Sequence, residues 1–548
     1  MPPSFKFFAL LALGLAAGLV GCAAPGVRSC TTRQYQPLAH FVAAPAGDDD
    51  YVDASFRACL EEWQESSGEP SLAYSAAVWQ LLEAACQRGR LDPVRGLTVR
   101  YGNSTFTVPV EYCGFAWQAN DFQWLHLPPQ GKEPLLQRRY HCAGFGWPLV
   151  VERCRRVEDP LEARFYPERS FFAATVALEF GELASADPAA FAASAQLKFY
   201  NPLQVRRSQS SSQPLATDLS APLAVTLQAA PRTYFAGLID PGNTQPRLTM
   251  LEPYQPGKIP LILIHGLFSD PQSWADMIND LRAAPGFAQR YQLWVFRYPT
   301  GRGFLQSATA LRTELRSLLA ALDPAQQDPA LQHLVLVGHS MGGLIAKLQV
   351  THSDELIWNE LANRPLETIA TTEQTRGFLA ENCYFDPSPN IDRVIFIASP
   401  HAGSVSSSGL IGRGASLLVE TPPEQAALHE QLIRDNPDTF NPFFERRLPT
   451  SIDMLQPQSP LLTAMSKMRL KPCLTLHNVI GAAVPLSLDG PTDGVVSVRS
   501  AAHPGCQSVL AFNAPHAQVH RELRTSCEVL RILALHAPAG SKPLQNRN

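Results

Sequence analysis

Charge is sparse and nearly balanced in this sequence. Of its 548 residues 17% are charged, and 45 basic against 49 acidic side chains leave a net charge of −4. A protein that binds nucleic acid usually carries a clustered positive excess, because it must neutralise phosphates. The balance therefore favours neither nucleic acid nor an acidic macromolecule as a partner.

Long apolar runs are absent after residue 22, where no segment reaches the roughly 20 residues that a membrane-spanning helix needs. Before that point, Lys6 precedes an apolar run over residues 7–20, which ends just before Cys22. A short apolar core behind a positive charge is typical of a secretory signal peptide, which we expect to span residues 1–21.

The end of this segment, LVGC at residues 19–22, resembles a bacterial lipobox. The resemblance implies cleavage before Cys22 and lipid on that cysteine, with residues 22–50 as a tether. Ala23, in place of aspartate, implies export to the outer membrane, so we expect a lipid-anchored protein of the bacterial cell envelope. Several acyl chains make such an anchor effectively stable. The alternative is ordinary cleavage nearby, with Cys22 incidental.

Ten cysteines follow Cys22, six of them before residue 155 and four after residue 380. Because disulfides persist in an oxidising envelope, the even number in each part predicts separately closed disulfide sets, whose connectivity stays open. A metal site at His141, Cys142 and Cys154 is the alternative for part of this set. Their spacing matches no common zinc pattern, so no metal site is predicted.

Residues 51–250 form an N-terminal region in which helical patterns precede strand patterns. Residues 54–88 place apolar side chains at intervals of three and four, which predicts helices. The later runs LTVRY, FTVPVEY, FFAATVALEF and LAVTLQAA favour strands. No combination of residues here points to chemistry, and the role of this region stays open.

Residues 251–548 alternate apolar strand-like runs, such as IPLILIHG and YQLWVFRY, with amphipathic helical runs. This alternation predicts an α/β domain whose parallel sheet is covered by helices on both faces. Ligands of such sheets bind at the carboxyl ends of the strands. A Leu- and Pro-rich insertion over about residues 405–468 predicts a lid over the pocket, which residues 353–390 could join.

The segment LVLVGHSMGGLIAKL contains Ser340 between a strand pattern and a helix pattern. Gly338 and Gly342 flank the serine where a Cβ would obstruct a sharp strand-to-helix turn. Such a turn exposes the hydroxyl at the start of a helix and is typical of a nucleophile elbow. The alternative is a plain tight turn. His339 is expected to pack beside the elbow rather than act as a base.

A serine nucleophile needs a histidine base and a carboxylate that orients it. Asp493, in a Thr-Asp-Gly turn after a predicted strand, is the preferred acid, and Asp489 is the alternative. His516, between the last strand and the last helix, is the preferred base. The alternatives are His520, expected inside that helix, and His503, before the last strand.

Two backbone N–H groups are expected to form an oxyanion hole, because ester chemistry places negative charge on the carbonyl oxygen. Met341 directly follows the predicted nucleophile. Leu267 follows a His-Gly pair at the end of the strand IPLILI and supplies the second candidate. His401, in SPHAGS, either lines the pocket or belongs to a structural loop.

The motifs from residue 251 onward resemble the α/β-hydrolase fold, in its lipase and esterase branch with an HG-type oxyanion loop. The segments PYQPGKIPLILIHGL, LVGHSMGGLIAKL, RVIFIASPHAGS and TDGVVSVRSA resemble a group of predicted bacterial lipoprotein hydrolases. The resemblance implies Ser340, Asp493 and His516 as a triad and no metal or organic cofactor. It implies little about the substrate.

The expected function is a membrane-anchored serine hydrolase whose partner is an ester or lipid substrate. Thioesterase, amidase, phospholipase and acyl transfer use the same residues and stay open. The alternative from another class is an envelope binding protein that keeps a hydrolase scaffold without turnover. Oligomeric state is left undetermined by the residues.

Overall fold

The computed structural model describes residues 39–40, 50–65, 71–92, 94–126, 136–181, 188–229, 245–404, 423–485 and 490–536. The predicted signal peptide, Cys22, nearly all of the predicted tether, the alternative acid Asp489 and the first part of the predicted lid lie outside these ranges. Within them, no helix combines the length and the apolarity that a bilayer crossing requires.

The N-terminal region is mainly antiparallel sheet with two long helices packed together at its start. Its described strands are β1 (Ala39–His40), β2 (Leu91–Asp92), β3 (Gly96–Tyr101), β4 (Ser104–Val108), β5 (Val110–Cys113), β6 (Trp124–His126), β7 (His141–Cys142), β8 (Trp147–Cys154), β9 (Arg169–Glu179), β10 (Gln196–Tyr200) and β11 (Thr217–Asp218). Its described helices are α1 (Asp50–Glu65), α2 (Leu72–Gln87), α3 (Pro160–Phe165), α4 (Pro188–Ala193) and α5 (Ala221–Ala229).

The main sheet of this region has the strand order β1-β6-β8-β9-β10-β5, and only β10 and β5 run parallel. Helix α2 packs on this sheet through Tyr74, whose hydroxyl donates to the carbonyl oxygen of Leu178 in β9 at 2.5 Å. The predicted order, helices followed by strands, is present in this region.

One strand prediction in this region is wrong. The run LAVTLQAA lies mostly in helix α5. Six of the nine residues of α5 are buried, and the carboxylate of Asp218 accepts from the N–H of Ala221 at 3.0 Å where the helix starts. A short, mainly apolar run carries no clear period, so its pattern did not distinguish a buried helix from a strand.

The disulfide prediction is also wrong for the cysteines that the structure describes. All nine of them, at positions 59, 86, 113, 142, 154, 383, 473, 506 and 527, are free thiols. Cys59, Cys86 and Cys383 are buried in apolar cores, and burial raises the pKa of Cys86 and of Cys383 to about 12. Even parity says nothing about which sulfur atoms approach each other, and a buried cysteine also serves as a small apolar side chain.

Residues 245–536 form the predicted parallel sheet with its helices. The described strands are β12 (Arg247–Met250), β13 (Ile259–Ile264), β14 (Tyr291–Arg297), β15 (Leu334–His339), β16 (Thr351–His352), β17 (Ile391–Ile397), β18 (Arg469–Leu470), β19 (Thr475–Gly481) and β20 (Cys506–Phe512). The described helices are α6 (Ala275–Ala283), α7 (Phe287–Arg290), α8 (Phe304–Leu322), α9 (Met341–Lys347), α10 (Leu356–Leu361), α11 (Glu373–Cys383), α12 (Pro423–Asp435), α13 (Pro442–Glu445), α14 (Ser451–Met454), α15 (Pro460–Lys467), α16 (Val498–Ala501) and α17 (Leu523–Leu535).

The large sheet has the strand order β12-β14-β13-β15-β17-β19-β20, and every pair except β12 with β14 is parallel. Alternate residues of β13 enter different cores. Leu261 and Leu263 share one core with α6 and α17, whereas Ile262 and Ile264 share the other with α8 and α9. Two-sided burial explains why β13 is apolar throughout.

The two predicted insertions contact each other. Asn436 exchanges hydrogen bonds with the backbone of Ala370, at 2.7 and 2.9 Å, and the backbone N–H of Asn363 donates to the carbonyl oxygen of Thr439 at 3.0 Å. Further along, the N–H of Ser404, which follows the carboxyl end of β17, donates to Leu455. The described part of the insertion therefore lies at the carboxyl edge of the sheet.

Candidate active site

Ser340 occupies a sharp turn between β15 and α9. Its φ of 54° and ψ of −125° are strained for a residue with a side chain. A Cβ on Gly338 would lie 2.5 Å from the carbonyl oxygen of Gly342, and a Cβ on Gly342 would lie 2.2 Å from that of Ile264. Gly343, which the sequence analysis did not single out, is equally constrained, because a Cβ there would lie 1.8 Å from Oγ of Ser399.

The structure brings the predicted nucleophile, base and acid into one chain of hydrogen bonds. Nε2 of His516 lies 2.9 Å from Oγ of Ser340, and Nδ1 of His516 lies 2.7 Å from Oδ2 of Asp493. Because a carboxylate only accepts, the ring proton is assigned to Nδ1, which leaves Nε2 free to accept the serine proton. The three side chains come from loops at the carboxyl edge of the parallel sheet.

Asp493 is itself held in place. It is 3% exposed, and its Oδ1 accepts from the N–H groups of Val495 at 2.9 Å and Val496 at 2.7 Å. The N–H of His516 donates to the carbonyl oxygen of Asp493 at 2.9 Å. The loops of Asp493 and His516 are therefore joined by a backbone hydrogen bond as well as by one between the side chains.

The predicted oxyanion loop passes beside the elbow. A Cβ on Gly266 would lie 3.0 Å from Cβ of Ser340, so this glycine allows the close approach. Met341 is the first residue of α9, and its N–H therefore has no acceptor within the helix. Leu267 directly follows Gly266 and is half-buried. The first predicted donor, Met341, therefore follows Ser340 in the chain. The second, Leu267, follows the glycine that contacts Ser340.

Buried histidines surround the elbow without entering the hydrogen-bonded chain. Nε2 of His339 donates to the carbonyl oxygen of His516 at 3.1 Å, and its ring lies 4.0 Å from that of His520, centroid to centroid. Burial lowers the pKa of His339 well below its usual value, with His520 and His516 adding to the shift. His339 therefore stays neutral and holds the backbone of the candidate base.

His520 does not lie in the last helix as expected. It belongs to a short 3₁₀ turn, Val519–Arg521, and packs edge-on against Trp274 at 5.3 Å. Burial, followed by the charge of Arg521, lowers the pKa of His520 to about 3. His520 is therefore a neutral ring that packs between other aromatic rings, and it does not act as the base.

The other alternative base, His503, lies against a different part of the loop system. Its ring contacts those of His401 at 4.9 Å and Phe396 at 5.7 Å. Burial, and then Lys347, lower the pKa of His503 to about 4. His401 packs edge-on on Phe396 at 4.6 Å, and both of its ring nitrogens are buried without a hydrogen-bond partner among the residues that the structure describes. These contacts favour the structural-loop interpretation of His401.

The oxyanion loop is fixed by an aromatic contact. The Tyr298 ring stacks on His265 at 4.3 Å, and the Tyr298 hydroxyl donates to the His265 carbonyl oxygen at 2.6 Å. Burial lowers the pKa of His265 to about 4, so this ring too is neutral. The residue before Gly266 is thereby anchored to the end of the neighbouring strand β14.

The N-terminal region also reaches this site. Arg138 forms a bidentate pair with Asp280 of α6, at 2.7 and 2.6 Å, and donates to the carbonyl oxygen of Arg521 at 3.1 Å. Asp276 of the same helix accepts from the N–H of Gln137 and from Nε of Arg521, both at 2.7 Å. We call these residues, Gln137, Arg138, Asp276, Asp280 and Arg521, the Arg138 bridge.

The Arg138 bridge ends on the turn that follows His516, so the N-terminal region contacts the loop of the candidate base. The sequence patterns did not predict this contact. The available signal was Asp276 and Asp280, which stand four residues apart on a helix that is otherwise largely buried. Carboxylates on a buried helical face need partners, but the sequence does not say which ones.

Residues 261–522 match the model of the alpha/beta hydrolase family. This part of the chain has the alpha/beta-hydrolase fold. The elbow, the acid loop and the histidine loop all fall within the matched residues. No curated protein matches the sequence.

Several solved structures are similar to this hydrolase part. The mature lipase BlEst2 of Bacillus licheniformis is 14% identical, with 52% of this chain and 94% of that chain covered and a TM-score of 0.32. A carboxylesterase of Nitrososphaera gargenis is 13% identical, with 54% and 97% covered and a TM-score of 0.29. A hydrolase of Pseudomonas aeruginosa is 15% identical, with 53% and 93% covered and a TM-score of 0.26. Likeness at this level carries no inference about substrate.

Proposed function

We propose that the protein is a serine hydrolase that cleaves carboxylic esters through an acyl-enzyme on Ser340. The observation that carries the proposal is the hydrogen-bonded chain from Ser340 through His516 to Asp493, with distances of 2.9 and 2.7 Å. A strained serine at the start of a helix adds support, because the strain presents Oγ clear of the sheet.

In the first half of the reaction, Oγ of Ser340 bonds to the ester carbonyl carbon while Nε2 of His516 takes its proton. The carbonyl oxygen becomes an oxyanion, which accepts from the N–H groups of Met341 and Leu267. Asp493 stabilises the imidazolium that forms. When the bond to the leaving alcohol breaks, His516 returns the proton to the alcohol oxygen, and the acyl group stays on Ser340.

In the second half, water replaces the alcohol. His516 accepts a proton from the water as its oxygen attacks the acyl carbon, the same N–H groups hold the second oxyanion, and the bond to Oγ breaks. His516 then returns a proton to Ser340, and the carboxylic acid leaves. The neutral rings of His339 and His520 next to His516 add no positive charge that would oppose formation of the imidazolium.

The insertion at the carboxyl edge supports an apolar acyl group as part of the substrate. Leu432, Phe440 and Leu455 of its described part are buried in the core that also contains α8 and α9. A lid with an apolar inner face excludes water from the acyl-enzyme and selects substrates by their chains. A series of p-nitrophenyl esters of increasing chain length measures this selection, and a preference for acetate over octanoate esters contradicts it.

The enzyme proposal is tested with a fluorophosphonate probe. We expect the probe to label the full chain, to fail on Ser340→Ala, and to label the control Ser466→Ala as it labels the unmodified protein, because Ser466 hydrogen-bonds within its own helix. Labelling of the Ser340→Ala variant at the unmodified level overturns the proposal. Absence of labelling in the folded unmodified protein, with no ester hydrolysis, favours a non-catalytic binding protein.

Anchoring of the chain in the bacterial envelope is a separate proposal, based on the lipobox resemblance alone. We expect the mature N-terminus to be Cys22 with a mass increase for its acyl chains, and the protein to sediment with outer membranes. Cys22→Ser should release it, whereas Cys30→Ser should not. An unmodified N-terminus at another residue contradicts this proposal.

A further inference from the structure

A second cavity lies at the opposite end of the parallel sheet from Ser340. It has a volume of about 850 Å³. Its wall contains Leu331 and Gln332, which precede β15, and Asn390, which directly precedes β17. Ser340 follows the other end of β15, and six residues of strand span about 20 Å. The cavity is therefore separate from the candidate active site.

Arg312, on helix α8, brings a buried positive charge to this cavity. It lines the wall and is only 9% exposed. Its guanidinium lies 3.9 Å above the Phe385 ring, Nη1 donates to the carbonyl oxygen of Leu348 at 3.1 Å, and Nη2 approaches Oγ1 of Thr309 at 3.4 Å. These partners orient the guanidinium of Arg312, but none of them carries a negative charge.

The positive charge of Arg312 has no counterion among the described residues. Neither Arg312 nor Arg316, one turn further along α8 and in the same wall, has a described carboxylate within 4.0 Å. Burial, and then the charge of Arg316, lower the pKa of Arg312 to about 10. A desolvated cation next to a second cation is costly unless an anion compensates it.

Two of the acidic residues in the wall are engaged elsewhere. The carboxylate of Asp323 accepts from the N–H groups of Gln327 and Asp328, at 2.9 and 2.7 Å. Asp386 pairs with His352 at 3.1 Å. These contacts direct the two carboxylates to partners other than the arginines. The third acidic residue of the wall, Glu381, forms no described ion pair with Arg312 or Arg316, so the arginines remain available to an external anion.

The remaining wall is partly apolar. Leu315, Leu319, Leu331 and Tyr384 all line the cavity. A cavity of this size suits a small molecule, and a planar guanidinium recognises a carboxylate through paired hydrogen bonds. We propose that this cavity binds a small amphiphilic carboxylic acid, whose carboxylate pairs with Arg312 and Arg316 and whose chain lies along the leucines and Tyr384.

The ligand class does not depend on the proposed ester hydrolysis, although that reaction releases acids of this kind. A product acid bound in this cavity would not contact Ser340. Binding is therefore the quantity to measure, and turnover is not required for the test.

The test is calorimetric titration of the intact protein with octanoate, octanamide and inorganic phosphate. We expect octanoate to bind with a dissociation constant on the order of 0.1 mM. Octanamide has the same chain without the charge and should bind at least about tenfold more weakly, as should phosphate, which has charge without a chain. Octanamide binding as tight as octanoate overturns the proposal, and so does phosphate binding of equal strength.

Variants locate the binding. Arg316→Gln removes an exposed side chain and should weaken octanoate binding by about tenfold, and Arg312→Lys, which keeps the charge but loses the fork, by a similar factor. Arg57→Gln, at an exposed arginine on α1, is the matched control and should bind like the unmodified protein. Thermal melting verifies that each variant is folded. Unchanged octanoate binding in both folded cavity variants overturns the proposal and assigns the acid to the candidate active site.

Discussion

The two largest described sheets of the molecule place their buried carboxylates in different surroundings. In the N-terminal sheet, Glu179 accepts from the Tyr200 hydroxyl and from Ser208 and Ser210, at 2.5 and 2.6 Å for the serines, and lies 3.2 Å from the ammonium of Lys198. Every oxygen of this carboxylate is used within the region. In the parallel sheet, Arg393 and His477 likewise contact each other within the strands, whereas Ser340, His516 and Asp493 form their hydrogen-bonded chain at the carboxyl edge.

At the carboxyl edge, the chain of hydrogen bonds ends on Oγ of Ser340, which can still react as a nucleophile. Asp493 and His516 are held by the backbone on several sides, yet Oγ of Ser340 has only the imidazole as its partner among the contacts described above. A polar network closed on itself stabilises a fold, whereas one that ends on a nucleophile beside unpaired N–H groups can receive a substrate. This difference, more than the number of polar residues, distinguishes a structural network from a candidate active site.

Replacing one serine in each network should separate the two roles most sharply. We expect Ser340→Ala to lower kcat/KM for ester substrates by about 10⁴- to 10⁶-fold with little change in stability, because it removes the nucleophile. Ser208→Ala removes a hydrogen bond to Glu179 and should cost about 1 kcal/mol of stability with activity retained. Steady-state kinetics and thermal melting of both variants measure this. Equal activity losses in the two variants would contradict the distinction.

Activity should be nearly as sensitive to replacement of Asp493, the candidate acid beside His516. Asp493→Asn keeps the shape but presents an amide to His516, which disfavours the required tautomer, so we expect a loss in kcat of about 10⁴-fold. The KM should change little, because Asp493 is buried behind His516. Glu179→Gln, the corresponding change in the N-terminal sheet, is the control and should alter stability only. A kcat within tenfold of the unmodified value for Asp493→Asn would assign the role of acid to another residue.

The Arg138 bridge connects the two regions and tests whether the first one supports catalysis. Arg138→Met removes the positive partner of the buried Asp280 and leaves it only the Tyr140 hydroxyl, at 2.9 Å, as a described hydrogen-bond donor, which should cost about 3 kcal/mol of stability. It also frees the turn after His516, so we expect kcat to fall by about tenfold with KM unchanged. The neighbouring Arg139 pairs with Asp218 inside the N-terminal region, at 2.6 Å, and provides a matched control.

The control variant Arg139→Met should lose stability while it keeps its kcat. If both arginine variants lower kcat equally, the effect is a general loosening of the fold and the bridge has no specific role. If neither lowers it, the contact serves stability alone.

The smallest expected effect concerns pH. Burial would raise the pKa of Glu152, but its hydrogen bonds with His126 and Arg169, each at 2.5 Å, lower that pKa below its usual value. A depressed pKa means that this residue contributes stability above its unfolded pKa of about 4.5 and loses it as the pH falls through the lower, folded value. The stability difference between the protein and Glu152→Gln should therefore be constant near neutral pH and shrink in acid. A difference that grows as the pH falls would show the opposite linkage.

The parallel part of the fold was predictable because each local pattern agreed with the others. Continuous apolar strands such as β13 and β15 identified two-sided burial, and the glycines around Ser340 identified the turn. The run in α5 was assigned wrongly because it is short and mainly apolar, with six of the nine residues of the helix buried. Gly343 was overlooked because its constraint comes from Ser399, a residue on another strand end.

The disulfides were predicted wrongly and the Arg138 bridge was not predicted, and both for the same reason. Both depend on which side chains approach each other across long stretches of chain, and neither parity nor helical spacing contains that information. The sequence shows that Asp276 and Asp280 need partners, and the packing of the N-terminal region and of Arg521 on α6 supplies them.

The sequence by itself determined the local order of strand, turn and helix around Ser340, because steric exclusion at Gly338 and Gly342 acts between residues a few positions apart. It also narrowed the acid and the base to a few candidates. Only the tertiary structure decided that His516, 176 residues from Ser340, comes within hydrogen-bonding distance of it while His520 and His503 do not. That choice depends on how β15, β17, β19 and β20 align side by side, which is a property of the packed sheet and of no single segment.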